Sequence, residues 1–473
     1  MSDQHIGGKE RPLLAAVVGS GPSGFYAAEA LLKNPDLSVR VDMLDRLPTP
    51  FGLVRGGVAP DHGKIKSVTK VYEKIAALPG FRFFGNVKLG RDIQVEDLKR
   101  VYDVVIYAIG NETDRKLGVP GENLEGSRTA TEFVAWYNGH PDYRDLEFDL
   151  SCENAAVVGI GNVAMDVTRI LAKDPDSLAP TDIAEHAVAV LRKSKIKNIY
   201  VLGRRGPAQA AFSPKEIKEI GDDPAIELIV GPEGSQLDPL SKEFMEREAD
   251  ANQKKNVEYL AEVAKRGDSE GKTKVHLRLL VSPTELIGKD GRVAAVKIER
   301  NKLQKSGDGS LRPEGSGEFE EIPVGIIFRS VGYFGIPTPG VAFDEKKGRI
   351  SNKEGRVTDP KTGEHLEGEY VVGWAKRGPS GLVGTNRACS VDTVGKILED
   401  LKEGRVPAPG KGSEEEALAL IASKQPKYVS FSDWQVLDRL ELENGKAAGK
   451  DRLKFTRIEE MLAALEAAKE KAV

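Results

Sequence analysis

The sequence predicts an α/β protein built from two Rossmann-like dinucleotide-binding domains. Three observations predict it. Two segments, "AAVVGSGPSGFYAAEALL" (15–32) and "NAAVVGIGNVAMDVTRILA" (154–172), each run from an apolar strand through a glycine turn into a helix. Each is followed by another buried strand, "VRVDMLD" (39–45) and "IKNIYVLG" (196–203). The chain has 473 residues, more than one ordinary domain, and its 40% hydrophobic content fills large cores.

In chain order, "LLAAVV" is a strand, and Gly19, Gly21 and Gly24 form G-x-G-x-x-G at the start of an alanine-rich helix. "VRVDMLD" is a second strand ending in Asp45. "SVTKVYEKIAAL" (67–78) reads as a helix and "FRFFGNVKLG" (81–90) as strands. "YDVVIYAIG" is a third buried strand that closes on Gly110, completing the βαβ rhythm of an open parallel sheet. The rhythm restarts at residue 154 with Gly159, Gly161 and Ala164 in a G-x-G-x-x-A turn. Residues 271–300 carry alternating patterns that predict antiparallel strands. "KSGDGSLRPEGSGEFEE" (305–321) is a polar hairpin or loop, and "GIIFRSVGY" (325–333) a buried strand. "GEYVVGWAKRGPSGLVGT" (368–385) leads into a helix through "CSVDTVGKILEDLKE" (389–403). "PAPGKGSEEE" reads as a linker and the tail from Thr456 as an amphipathic helix.

Bulk composition excludes several classes. Lys plus Arg number 69 against 73 Asp plus Glu, a net charge of −4, which gives no sign of a nucleic-acid partner. Two cysteines, Cys152 and Cys389, cannot ligate an iron–sulfur cluster and form no Cys-x-x-Cys redox pair; both are expected as buried thiols. No metal site is expected. No apolar run reaches transmembrane length, and "MSDQHIGGKERP" lacks an apolar signal core, so a cytoplasmic protein is the default expectation.

The two glycine units differ at the end of their second strand. In the first, Asp45 can bind both hydroxyls of a ribose, while the glycines admit a pyrophosphate to the helix N-terminus. The apolar, glycine-rich loop "TPFGLVRGGVAPDHGKIKS" (49–67) suits the wall of a flavin site, as does Trp374 beside the small residues that follow it. In the second, Asn162, Val163, Ala164 and Met165 open the helix where a second pyrophosphate would sit. The expected acid is replaced by Gly203, and Arg204 and Arg205 follow. A carboxylate repels a 2′-phosphate and two guanidinium forks bind it, so the second nucleotide should be NADP(H).

With these segments in place, the chain resembles the ferredoxin–NADP+ reductases of the adrenodoxin-reductase type, most closely the bacterial members. The resemblance runs over nearly the whole chain through "VVGSGPSGFYAAEALL", "LPTPFGLVRGGVAPDHGKIKSV", "RFFGNV", "DRKLGVPGE", "GIGNVAMDVTRILA", "GRRGPAQAAFSPKE", "RSVGYFGIPTPG" and "YVVGWAKRGPSGLVGTN". It implies an FAD domain (1–112 and 335–473) split by an inserted NADPH domain (113–334). It implies FAD contacts at Ser23, Asp45, Leu53, Val87, Trp374, Gly381, Leu382 and Val383. It implies NADPH contacts at Arg115, Asn162 to Met165, Arg204, Arg205, Glu216 and Gly381. Asp45 stands where a glutamate is expected, and the shorter acid still reaches a ribose. The tail after about residue 405 is the least distinctive part.

The implied activity passes electrons from NADPH, as hydride to FAD, onward singly to a separate ferredoxin-type iron–sulfur protein. The alternatives are a flavoprotein dehydrogenase using quinone-like or other diffusible acceptors, and a flavin-bearing signalling protein. A histidine side chain ordinarily titrates near neutrality, so His62 suits orienting the nicotinamide or relaying a proton; its alternative is a structural histidine bonding backbone in a turn. Glu219 and Asp166 are further proton-handling candidates, with solvated or capping carboxylates as their alternative. "LRKSKIK" (191–197) and the pair Lys376 and Arg377 are candidates for a basic face that steers an acidic partner.

Overall fold

In a computed structural model of the chain, residues 5–267, 273–381, 383–407 and 413–471 are described. The chain divides into two compact units. One comprises Met1–Val58, His62–Thr113 and Tyr333–Val473; the other comprises Asp114–Gly332 together with Ala59–Asp61.

The first unit is built on a seven-stranded sheet. Its strand order is Asn352–Lys353, Arg356–Thr358, His365–Val371, Val104–Tyr107, Leu13–Val18, Val39–Leu44, Phe81–Phe84. The five strands from His365–Val371 onward pair in parallel, and two short antiparallel strands finish one edge. A parallel sheet is covered on both faces, which is why "LLAAVV" is apolar at every position. Leu13, Ala15 and Val17 enter one core and Leu14, Ala16 and Val18 the other. The C-terminal helices close both cores: Trp434, Leu437, Met461 and Leu465 pack into the first, Ala417 and Ile421 into the second. Only Phe81–Phe84 of the segment 81–90 is a strand. Beyond it Gly85 makes a two-way backbone bridge to Val429.

The second unit holds a six-stranded parallel sheet in the order Ser127–Thr129, Ile326–Arg329, Asn154–Val158, Asn198–Gly203, Thr273–Leu279, Ile226–Val230. Thr273–Leu279 corrects the expectation for residues 271–300. It alternates buried and half-buried residues yet pairs in parallel, because alternation reports burial of one face and not strand direction. Antiparallel pairing begins at Val281–Lys289, which joins Arg292–Lys305 and Leu311–Pro323 in a separate three-stranded sheet. The polar segment 305–321 is therefore a hairpin, turned at Ser306–Ser310.

The chain leaves the first unit after Thr113 and returns at Tyr333. On the first unit, Thr113 Oγ1 donates to the Phe334 carbonyl (3.3 Å). On the second, Arg115 N–H donates to the Gly332 carbonyl (2.8 Å).

Candidate functional site

The first glycine turn is shaped by two close approaches. Gly19 has φ +108°, and a Cβ there would lie 2.4 Å from the Ala108 carbonyl oxygen. A Cβ on Gly24 would lie 2.1 Å from the Gly19 carbonyl oxygen. Gly21 is different: a Cβ there meets nothing within 4 Å, so the space before the turn is open. Gly21 caps the helix Pro22–Leu32, whose first backbone bond runs from Phe25 N–H to the Gly21 carbonyl (3.2 Å). Pro22 has no N–H, so the donors left at the tip are those of Ser23 and Gly24.

Three further segments frame this turn. At the end of Val39–Leu44, Asp45 accepts through Oδ2 from Ser20 N–H (2.9 Å) and from the Ser20 hydroxyl, and through Oδ1 from Leu47 N–H (2.9 Å). Buried Val87 donates its N–H to the Asp45 carbonyl (2.8 Å). The loop at 51–56 lies on the turn: Phe51 N–H donates to the Ser20 carbonyl (3.0 Å), and a Cβ on Gly52 would sit 2.9 Å from Gly21 Cα. Leu53 is exposed. On the other side a Cβ on Gly373 would strike Ser23 Oγ at 2.1 Å. Next to it, Trp374 holds a buried Nε1–H with no acceptor among the described residues, its ring 5.0 Å from that of Tyr333. Gly381 precedes the helix Val383–Lys402, and Leu382 lies outside the described residues. Open space at Gly21, free helix-tip donors and an orphaned indole N–H fit a dinucleotide carrying a ring system with hydrogen-bond acceptors, as FAD does.

The second turn repeats the geometry. A Cβ on Gly159 (φ +133°) would lie 2.2 Å from the Ser330 carbonyl oxygen, and a Cβ on Gly161 meets nothing within 4 Å. Gly161 caps the helix Asn162–Ala172, and Asn162, Val163 and Ala164 precede its first ladder bond. That bond is Met165 N–H to the Gly161 carbonyl (3.2 Å). The Asn162 side-chain oxygen accepts from Ser213 N–H (2.8 Å). Beyond the strand Asn198–Gly203, Arg204 is exposed and Arg205 half-buried. Their backbone is fixed by Asn301 Nδ2 donating to the Arg204 carbonyl (2.9 Å) and Leu280 N–H to that of Arg205 (3.2 Å). Neither guanidinium has a carboxylate partner among the described residues. Burial, and the charge of Arg204 beside it, push the Arg205 guanidinium down from its ordinary pKa. A cavity of about 390 Å³ opens beside Arg205, lined by Gln209, Leu240, Phe244 and Lys305 among others. Arg115 is exposed.

One turn into the second helix lies a buried ion cluster that the sequence reading missed. Arg169, fully buried, donates to both oxygens of Asp61 (2.8 and 3.0 Å), to Asp166 Oδ1 (2.7 Å) and to Glu216 Oε2 (3.0 Å), with Glu219 Oε2 at 3.6 Å. Lys173 adds a bond to Asp61 (3.1 Å). Asp166 lies among further carboxylates. Burial, with Asp61 and Glu219 adding to it and Arg169 opposing, pushes its carboxyl up to about 6. Burial opposes ionisation of Asp61 too, but there Arg169 and Lys173 prevail and hold it well below the usual carboxylate range. The only local sign of Arg169 is its i, i+3 spacing from Asp166. His62, in the first unit, is buried, and its carbonyl accepts from Ile65 N–H (3.0 Å) at the start of a short helix.

No family model matches the chain. The chain is 44% identical over 460 residues to the NADPH-ferredoxin reductase FprA of Mycobacterium tuberculosis, covering 96% of this chain and 99% of that one. It is 40% identical over 469 residues to the mitochondrial NADPH:adrenodoxin oxidoreductase of Homo sapiens, covering 97% and 93%. The solved structure of M. tuberculosis FprA in complex with NADPH superposes with a TM-score of 0.90 at 43% identity, over 96% of this chain and all of that one. The chain belongs to the NADPH-ferredoxin reductase family of the adrenodoxin-reductase type.

Within this reductase fold several sequence-based assignments change. Unlike the three residues before it, Met165 donates its N–H to the Gly161 carbonyl, and its side chain is 1% exposed in the core. Glu216 is engaged by Arg169, and Asp166 and Glu219 are neither capping nor fully solvated carboxylates. Lys376 is no free basic surface: its side chain is 12% exposed and bonds Asp392 (2.6 Å) and Thr393 (3.0 Å). Arg377 is turned onto the Ser380 carbonyl and Asn386. In 191–197, Arg192 pairs with Asp176 and Lys197 with Glu153. Cys152 and Cys389 are free and half-buried, not fully buried.

Proposed function

We propose that this reductase moves electrons from NADPH through FAD to a ferredoxin-type iron–sulfur protein. The observation that carries the reading is the contrast between strand ends. One glycine turn is followed by a carboxylate, Asp45, and the other by two arginines that have no carboxylate partner among the described residues. An unpaired guanidinium pair beside a pyrophosphate cradle calls for the extra phosphate of NADPH.

The first unit is the proposed FAD domain and the second the proposed NADPH domain, close to the expected 1–112, 335–473 and 113–334. Ser23 and Gly24 N–H groups would hold the FAD pyrophosphate and Asp45 its ribose. Val87, Leu53, Trp374 and the segment from Gly381 through Leu382 to Val383 would flank the rest. Bound FAD supplies a centre that takes a hydride pair and gives its electrons up one at a time. On the second unit, the N–H groups of Asn162, Val163 and Ala164 would bind the NADPH pyrophosphate, Arg204 and Arg205 its 2′-phosphate, and Arg115 a further phosphate oxygen. His62 is proposed to orient the nicotinamide or hold a proton near it. Asp166, whose carboxyl burial pushes up to about 6, and its neighbour Glu219 are proposed to handle a proton on the second unit. Among the described residues no helix is long and apolar enough to cross a membrane. The proposed location is the cytoplasm, where free thiols such as Cys152 and Cys389 stay reduced.

The test is turnover with defined electron carriers. Purified protein should be yellow, oxidise NADPH much faster than NADH, and reduce cytochrome c only when ferredoxin is added. Equal rates with both nicotinamides refute the reading of the arginine pair. Full rates with a quinone and none with ferredoxin refute the partner.

A further inference from the structure

The C-terminal region, which the sequence left without a role, holds the loop that lies on the first glycine turn. Glu441, in the helix Phe431–Ala447, is fully buried. Its carboxylate takes both Nη atoms of Arg55 (2.5 and 2.8 Å), Nη1 of Arg452 (2.8 Å) and the N–H of Phe455 (2.9 Å). Despite burial, Arg55 and Arg452 hold that carboxyl below its ordinary pKa, so it is an anion at neutral pH. The same guanidinium stacks 5.1 Å from the ring of Trp434, and Lys454 Nζ reaches the Arg55 carbonyl (3.3 Å). Trp434 in turn meets Phe51 edge-on at 5.8 Å.

Arg55 is tied to the turn through its own backbone. Its N–H donates to the Gly52 carbonyl (3.1 Å), and Gly52 is the residue whose Cβ would sit 2.9 Å from Gly21 Cα. The links run without a gap: Glu441, Arg55, Gly52, Gly21. All belong to one compact unit.

We propose that Glu441 and Arg55 are positioning residues for the dinucleotide of the first unit, so that the C-terminal helices act as a clasp governing how tightly that cofactor is retained. The inference rests on the reading of this turn as the FAD site. A bidentate guanidinium–carboxylate fork fixes the loop in direction as well as distance, which a single ammonium cannot do. Loosening it lets residues 51–56 lift from Gly21 and costs pre-organisation of the cradle, while neither Glu441 nor Arg55 is itself placed against the ligand.

The experiment compares wild type, Glu441→Gln and Arg55→Lys after removal of flavin. Each is titrated with FAD, and separately with 2′,5′-ADP as a probe of the second unit. Both variants should bind FAD about tenfold or more weakly, with 2′,5′-ADP affinity unchanged. Amide hydrogen exchange should quicken at residues 52–57. FAD affinity equal to wild type, or a parallel loss of both ligands, overturns the proposal. Arg55→Lys keeps both charges and carries the test should Glu441→Gln fail to fold. A wild-type protein that takes up no FAD would instead overturn the proposed function.

Discussion

Replacing Arg205 by alanine tests the nucleotide assignment at its most exposed point. Among the described residues Arg204 and Arg205 have no carboxylate partner, and the pKa of the half-buried Arg205 is pushed down by burial and by its neighbour's charge. The free protein therefore carries an unfavourable cation pair that a 2′-phosphate dianion relieves. A charge-assisted fork to phosphate contributes about 1.5–3 kcal/mol, and about 1.4 kcal/mol is a factor of ten. Arg205→Ala should thus raise the KM for NADPH about 10- to 100-fold, and the exposed, salt-screened Arg204→Ala should fall near the lower end. NADH lacks the phosphate, so its KM should barely move. Removing one of two like charges should leave the free protein's Tm unchanged or slightly higher, while shrinking the Tm gain on adding NADP+. Steady-state kinetics with both nicotinamides at two ionic strengths, with thermal unfolding alongside, measures all of this. A parallel rise for NADH, or a clear loss of stability in the free protein, would show that these arginines brace the fold and do not read the phosphate.

Other outcomes follow from the same geometry. Gly21→Ala adds a methyl where nothing lies within 4 Å. It should fold with wild-type Tm yet purify colourless, whereas Gly24→Ala, 2.1 Å from a carbonyl oxygen, should lower Tm itself. Asp166 has a folded pKa of about 6, above the ordinary 3.8. Its contribution to stability is full below about pH 3.8 and is lost as pH rises through about 6, a decline of about 3 kcal/mol. Asp166→Asn should remove that decline, of which about 1.4 kcal/mol falls between pH 5 and pH 7, and denaturant titrations at those two values that still show it would refute the assignment. Residues 114–332 expressed alone lose Asp61, the partner of buried Arg169, and should show a lowered Tm yet bind 2′,5′-ADP; failure to bind while folded would move the NADPH site elsewhere.

What was legible in the sequence is what local chemistry writes there. Gly19, Gly24 and Gly159 announce close backbone approaches, and Asp45 against Arg204 and Arg205 announces two strand ends of opposite charge. Burial of charge is not written locally. Asp61 and Arg169 are 108 positions apart, and Arg55 and Glu441 are 386 apart, so neither pair leaves a periodic trace. Thr273–Leu279 misled because alternation encodes which face is buried and says nothing of strand direction. Met165 misled because a motif marks where a helix starts, while only its first three N–H groups are free.

The hydrogen bonds at Thr113–Phe334 and Arg115–Gly332 have a genetic consequence. They bring the departing and returning strands of the chain side by side at the boundary of each unit. An insert whose two ends meet can be gained, lost or exchanged with little disturbance to its host, since a short splice would bridge the gap. The reductase is thus readable as a grafted cassette. A cassette selective for a different nucleotide, joined at residues 114 and 332, would inherit the same host and its flavin chemistry.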